Sequence, residues 1–193
     1  MSEVVRASDP VEADAIVSVI TLAFSTDPMA RWSLPDPLTY LGVMPSVVRA
    51  FGARAFDSQS AYCVDGFRGA ALWLAPGVEP DSERLLTLMQ DNAPPEILLD
   101  LMGVFEQMGQ YHPTEPHWYL PLIGVDPALQ GQGLGATLMR HAVDRCDRDG
   151  LPAYLESSNP KNISLYLRHG FEIMGEIQVG ASPRMTPMYR KAR

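Results

Sequence analysis

The sequence predicts an α/β (α+β) domain built on a mixed sheet, and three observations carry that prediction. Apolar residues recur at helical spacing in separate stretches, with Ile16, Val19, Ile20 and Ala23 in one and Leu134, Leu138, Ala142, Val143 and Cys146 in another. Short apolar and β-branched runs bounded by turn residues lie between such stretches: AYCVD at 61–65, GAALWLA at 69–75 and PHWYLPLIGVDP from 116. A β–α–β unit spans 117–156, with a glycine-rich turn between its first strand and its helix.

Taken in order, EVVRA at 3–7 reads as a short first strand. Asp9-Pro10 opens a helix, with proline at the first helical position and Glu12 at capping-box spacing, and the helix runs to about Phe24. Residues 25–36 read as loop, and a second helical stretch covers about 37–56. Asp65-Gly66 turns a hairpin between the runs at 61–65 and 69–75. Two helices follow, at about 80–91 and 94–110. The second carries a stripe of Ile97, Leu101, Val104, Phe105 and Met108, which reads as core, with a ligand-lining wall as the rival reading. The helix after the glycine turn carries Asp144 and Arg148 as an i,i+4 pair. PAYLE at 152–156 is a strand, 160–169 a short helix stopped by Gly170, and FEIMGEIQV and RMTPMYR are two closing strands.

At 193 residues the chain reads as one domain, 1–193, with 46% hydrophobic and 20% charged residues, an ordinary globular composition. The net charge of −8 argues against nucleic acid as partner. No apolar run reaches the roughly 18 residues of a membrane helix, and the N-terminus lacks a signal-peptide pattern, so the expected location is cytoplasmic with no membrane partner. Cys63 and Cys146 are too few for a disulfide framework or a zinc site, and no metal is expected.

The sharpest signal is Val125-Asp-Pro-Ala-Leu-Gln-Gly-Gln-Gly-Leu-Gly135. Gly131, Gly133 and Gly135 remove side chains where backbone must approach a ligand, and amides at a helix entry form an anion nest. A phosphate or pyrophosphate suits such a site. A P-loop would require Gly-Lys-Ser/Thr, but Gly135 is followed by Ala136 and Thr137. A nicotinamide-dinucleotide site is a rival, since Gly131-x-Gly133-x-x-Ala136 fits its pattern and Glu156 ends the next strand. Against it, Asp126 to Gln130 separate the strand from the glycines, and no room remains for further βαβ repeats.

Gln130-x-x-Gly133-x-Gly135 resembles the acyl-CoA pyrophosphate motif of the GNAT superfamily of N-acetyltransferases, and Asn162, Tyr166 and Gly170-Phe171 resemble its downstream segment. Within that superfamily, EPHWYLPLIGVDPALQGQGLG and PAYLESSNPKN resemble the puromycin N-acetyltransferase-like branch. The resemblance covers about 116–178. It implies a mostly antiparallel sheet, flanked by helices, whose central strands splay at 117–125 and 152–156. It also implies an acceptor-side half at about 1–115 and an acetyl-CoA-binding half at about 116–193. Pro121 has no N–H for a ladder and fits either a splayed pairing or a bulge.

The implied activity is transfer of acetyl from acetyl-CoA to a primary amine of a small molecule, of antibiotic or aminonucleoside type on the closer resemblance, by a monomer or homodimer. Backbone near Leu122, Ile123 and Val125 would bind pantetheine and polarise the carbonyl. Gln130, Gly131, Gln132 and Gly133, with Leu134, Gly135 and Ala136, would hold the pyrophosphate. Tyr166 is the implied general acid and Glu156 the candidate base. Asn162 either bonds the donor or caps its helix. Trp32, His117 and Tyr119 are candidate acceptor-binding residues, His117 and Tyr119 sharing a strand face. A catalytically silent CoA-binding module is the alternative from another class.

Overall fold

The structure is a computed structural model and describes residues 5–193. Residues 3 and 4 of the expected first strand lie outside the described residues; Val5–Ala7 form β1. Asp9 and Glu12 make the expected reciprocal cap. The Asp9 carboxylate accepts from the amides of Val11 and Glu12, and Glu12 accepts from the Asp9 amide at 3.4 Å. A 3-10 turn at Pro10–Glu12 leads into α1, Ala13–Ala23.

The expected loop at 25–36 contains a helix, α2, Pro28–Ser33. Its N-cap is Asp27, whose Oδ1 accepts from Met29 N and Ala30 N, with Pro28 at the first helical position. Asp36 and Pro37 repeat the device at the start of α3, Pro37–Gly52, which α4, Arg54–Asp57, follows. An Asp-Pro pair supplies both a side-chain acceptor and a preset φ, so these pairs start helices.

The sheet has seven strands among the described residues. β2, Ala61–Val64, and β3, Gly69–Leu74, form the expected hairpin across Asp65–Phe67, and β1 pairs with β2. α5, Ser82–Asn92, and α6, Leu98–Tyr111, precede β4, Trp118–Val125. α7, Leu134–Asp149, then leads to β5, Ala153–Ser157, and α8, Ile163–Arg168. The expected strand FEIMGEIQV shrinks to β6, Glu172–Ile173, plus an isolated bridge between Ile177 and Met185; β7 is Thr186–Arg190. The order is β1-β2-β3-β4-β5-β7-β6, and only β4–β5 is parallel. One parallel pair in a mostly antiparallel sheet is not a doubly wound nucleotide fold.

That pair opens early. Trp118 faces Ala153 and Tyr119 faces Tyr154, and registered pairing ends there. On the other side of β4, Leu74 faces Tyr119 while Leu72 faces Leu122, so the strand bulges at Leu120–Pro121. Both readings of Pro121 therefore hold at once: the bulge against β3 sits where β4 leaves β5.

Two apolar cores cover the sheet. Ile16, Ile20, Val48 and Leu88 pack from α1, α3 and α5 on one face against Leu72 and Leu74. Leu138, Met139 and Ala142 of α7 pack on the other against Trp73 and Leu155. The i,i+4 ion pair on α7 is Arg145–Asp149 at 3.0 Å rather than Asp144–Arg148. Asp149 is anchored there because it also accepts from the Trp118 indole.

Candidate active site

The gap between β4 and β5 widens into a cleft of about 650 Å³. One side is the end of β4, the glycine turn and α8; the other is built by α1 to α3, α5, α6 and Met185.

On the first side, Asp126 N donates to the carbonyl of Arg68, the residue just before β3. Alternation along β4 then turns the amides of Ile123 and Val125 toward the open split. Leu122, Ile123 and Val125 all line the cleft. So do Gln130, Gly131 and Gly133, and likewise Leu134, Gly135 and Ala136; Gln132 is exposed and does not line it. Gln130 is tied back by its side-chain amide to Val125 O at 3.3 Å. Gly131 and Gly133 hold φ of 79° and 85°, a left-handed backbone that glycine adopts without strain, and beside both the space is open. Lys161 and Arg168 bring two cations to the same side. Bare amides at the foot of α7 together with two cations suit a pyrophosphate ester, and an extended polar chain suits the open β4 edge. Asn162 lines the cleft and makes no cap bond. The cap is Asn159, whose Oδ1 accepts from Lys161 N at 3.1 Å.

Between the two sides sit the titratable groups. Glu156, on β5, lines the cleft with its Oε1 shut off from solvent and without a hydrogen-bond partner. Burial pushes its pKa up to about 7, against a smaller downward pull from the hydroxyls of Tyr119 and Tyr154 beside it. The Tyr154 hydroxyl is likewise buried and unpartnered. Tyr166, on α8, lines the cleft with its ring edge-on to Phe171. Burial, and then the Asp27 charge, hold its phenol well above the ordinary tyrosine range. Asp27 is buried, and burial raises its pKa despite the bonds from Ser158, Ala30 and Met29.

Of the acceptor candidates, Tyr119 lines the cleft. Trp32 does not: it packs partly buried against the first core. Nor does His117, whose Nδ1 lies 2.7 Å from Glu115 O and whose Nε2 lies 3.1 Å from His112 Nε2. His117 sits before β4, ahead of the split, so the strand face it shares with Tyr119 is still covered there. Sequence reasoning missed the pairing of Asp27 with Ser158, although Asp27-Pro28 signals a cap. The α6 stripe serves both of its readings: Leu101 and Val104 are buried core, while Phe105 and Met108 stay partly open. Leu101, Val104, Phe105 and Met108 face the cleft.

Residues 79–171 match the sequence profile of the acetyltransferase (GNAT) family. Over 71 residues the chain is 35% identical to an uncharacterised N-acetyltransferase of Schizosaccharomyces pombe, covering 37% of this chain and 29% of the relative. Over 109 residues it is 30% identical to a mycothiol acetyltransferase of Brachybacterium faecium, covering 54% and 31%. The chain thus spans about a third or less of the length of these curated relatives. A structure titled histone acetyltransferase HPA2 and related acetyltransferase, from Corynebacterium glutamicum, superposes with a TM-score of 0.70 at 24% identity, over 100% of this chain and 98% of that one. Arylalkylamine N-acetyltransferase 2 of Aedes aegypti superposes at 0.68 and 12% identity over the whole of both chains. At these identities the likeness shows the fold. No helix among the described residues is long and apolar enough to cross a membrane.

Proposed function

This chain has the GNAT fold, and on that premise we propose that it is an N-acetyltransferase that moves acetyl from acetyl-CoA to a primary amine of a small molecule. The carrying observation is the buried, unpartnered carboxylate oxygen of Glu156 inside the gap that the β4–β5 splay opens. An aminonucleoside or antibiotic-type acceptor rests on the resemblance of 115–135 and 152–162 to the puromycin-type branch.

Acetyl-CoA supplies an activated acetyl thioester. The amides around Gly131, Gly133 and Gly135, with Lys161 and Arg168, would hold its pyrophosphate, and Leu122 to Val125 its pantetheine arm. Glu156 takes a proton from the bound ammonium, so that the nitrogen lone pair is free when the C–N bond forms. A base with a pKa near 7 is half ionised at neutral pH and still basic enough to act. The amides of Ile123 and Val125 donate to the carbonyl oxygen as it gains negative charge. Tyr166 stays protonated throughout the working range and donates to the sulfur as the C–S bond breaks.

Thermal unfolding in parallel with acetyl-CoA, CoA, NAD and NADP tests the reading. Ligand at 100 times its Kd adds about 2.7 kcal/mol, roughly 5–10 °C at this size. The expected result is a shift with both CoA species and none with either dinucleotide, followed by amine-dependent thiol release. No CoA shift on folded protein refutes the donor site. A CoA shift without thiol release from any amine marks a silent binding module.

A further inference from the structure

We propose that the acceptor end of the cleft is a chamber for a primary monoamine with an apolar aryl or alkyl body and no anionic group. This rests on the transferase reading above and, within it, sets an apolar monoamine in place of the aminonucleoside or antibiotic-type acceptor that the resemblance suggests.

Five of the chain's ten methionines line the chamber: Met29, Met44, Met89, Met108 and Met185. Phe24, Phe51 and Phe105 stand among them. The wall is continuous, since Met29 and Met108 pack on the small cluster of Val104, Ile177 and Met185. Unbranched thioether side chains fit apolar bodies of varied outline.

Charge narrows the class further. Lys161 and Arg168 are the cations among the described residues that line the cleft, and both belong to the donor side. A carboxylate or phosphate on the acceptor would enter the chamber without a counter-charge and stripped of water. The cleft's two acids are Asp27 and Glu156. Asp27 is already engaged, by Met29 N and Ala30 N on Oδ1 and by Ser158 Oγ on Oδ2. Glu156 Oε1 has no partner. One ammonium therefore finds one counter-charge, and the second ammonium of a polyamine would lie against Met and Phe. Ring hydroxyls fare no better. Ser33 Oγ already donates to Met29 O at 3.0 Å and keeps only acceptor capacity, Thr26 stands at the exposed rim, and a ring hydroxyl buried beyond their reach is left without a partner.

The test measures kcat/KM with acetyl-CoA for 2-phenylethylamine, hexylamine, phenylalanine, spermidine and glucosamine. Phenylalanine is phenylethylamine plus a carboxylate, so that pair isolates the missing cation. The expected result is a preference of at least 100-fold for the two apolar monoamines over the other three. Phe105→Ser, at the half-buried rim of the chamber, should raise the KM for hexylamine at least tenfold and leave that for acetyl-CoA unchanged. Equal or better turnover of phenylalanine, spermidine or glucosamine overturns the proposal while the transferase reading stands. A tenfold preference for hexanoyl-CoA over acetyl-CoA with ethanolamine as acceptor also overturns it, because the chamber then holds the donor's acyl chain. Absence of thiol release with every amine refutes the transferase reading. The chamber is then tested alone by calorimetric titration of the wild-type protein: tighter binding of phenylethylamine than of phenylalanine supports it, and the reverse or equality overturns it.

Discussion

Ser158 Oγ donates to Asp27 Oδ2 at 2.7 Å, joining the loop after β5 to the N-cap of α2 across 131 residues of sequence. The bond ties the two walls of the cleft together beside Tyr166, whose proton the Asp27 charge helps to retain. Replacing Asp27 by Ala removes the cap and leaves Met29 N, Ala30 N and Ser158 Oγ without their acceptor. A cap is worth about 1 kcal/mol and a buried donor left unpaired about 1–3. Asp27→Ala is expected to lower Tm by roughly 5–10 °C, whereas Asp27→Asn keeps the capping oxygen and should lose less than half of that. Thermal unfolding of the two variants decides; equal losses would show that the charge, and not the cap, holds α2.

Glu156 carries a stability cost that its proposed role as base would turn into an activity gain. Its folded pKa of about 7 stands above the unfolded carboxylate value of about 4.3, because burial penalises the ion. The folded state therefore binds the extra proton between those values, and stability falls as pH rises through that window. Glu156→Gln removes the ion. At pH 8 the variant should be more stable than wild type by about 3–4 kcal/mol, roughly 7–14 °C, and at pH 4 by almost nothing. Turnover should drop at least 100-fold, and the wild-type rate should climb with pH through about 7 before levelling. A wild-type profile flat between pH 6 and 8 would remove Glu156 from the role of base.

The glycine turn and the β4 bulge were legible in the sequence because their signals are local. Glycines at 131 and 133 meet a positive φ at their own positions, and Pro121 marks the bulge it sits in. The acceptor side is assembled from distant segments, and there residue type misleads. Leu101 and Val104 are buried by packing on α6, while Phe105 and Met108, one turn on, stay half open to the cleft; the same spacing serves core and wall. Asp27 reads as a solvated loop acid until Ser158 reaches it from the far end of the chain. Trp32 and His117 suggest a pocket by their chemistry, but Trp32 on α2 packs against the first core and His117, just before β4, turns to His112.

Tyr166 offers a cleaner separation of chemistry from folding. Its ring is buried against Phe171, and within the chain its hydroxyl makes no hydrogen bond that a phenylalanine would forfeit. Tyr166→Phe is expected to keep Tm within about 2 °C, since a change that removes no cap, cavity or buried partner falls within roughly ±0.5 kcal/mol. Loss of the donor to the departing sulfur should reduce kcat about 10²-fold, within the usual range for a positioned acid, with the KM for acetyl-CoA little changed. A variant with undiminished kcat would transfer the role of acid to solvent.

Two glycine substitutions with opposite signs test the cradle at the foot of α7. Gly133 has φ 85°, and an alanine there is held in the left-handed region at about 1–2 kcal/mol, lowering Tm by a few degrees. Its methyl would also project into the open space beside the turn, where the pyrophosphate is proposed to lie. Gly42 is exposed within α3, with nothing within 4 Å of an added Cβ and no positive φ. Gly42→Ala should therefore raise stability by about 0.5–1 kcal/mol. The acetyl-CoA-induced Tm shift should survive intact in Gly42→Ala and shrink sharply in Gly133→Ala, because only the second residue lies in the turn proposed to hold the donor. If both variants retain the full shift, the pyrophosphate does not rest on this turn, and the open amides of Gly131 and Gly133 are a feature of chain reversal alone.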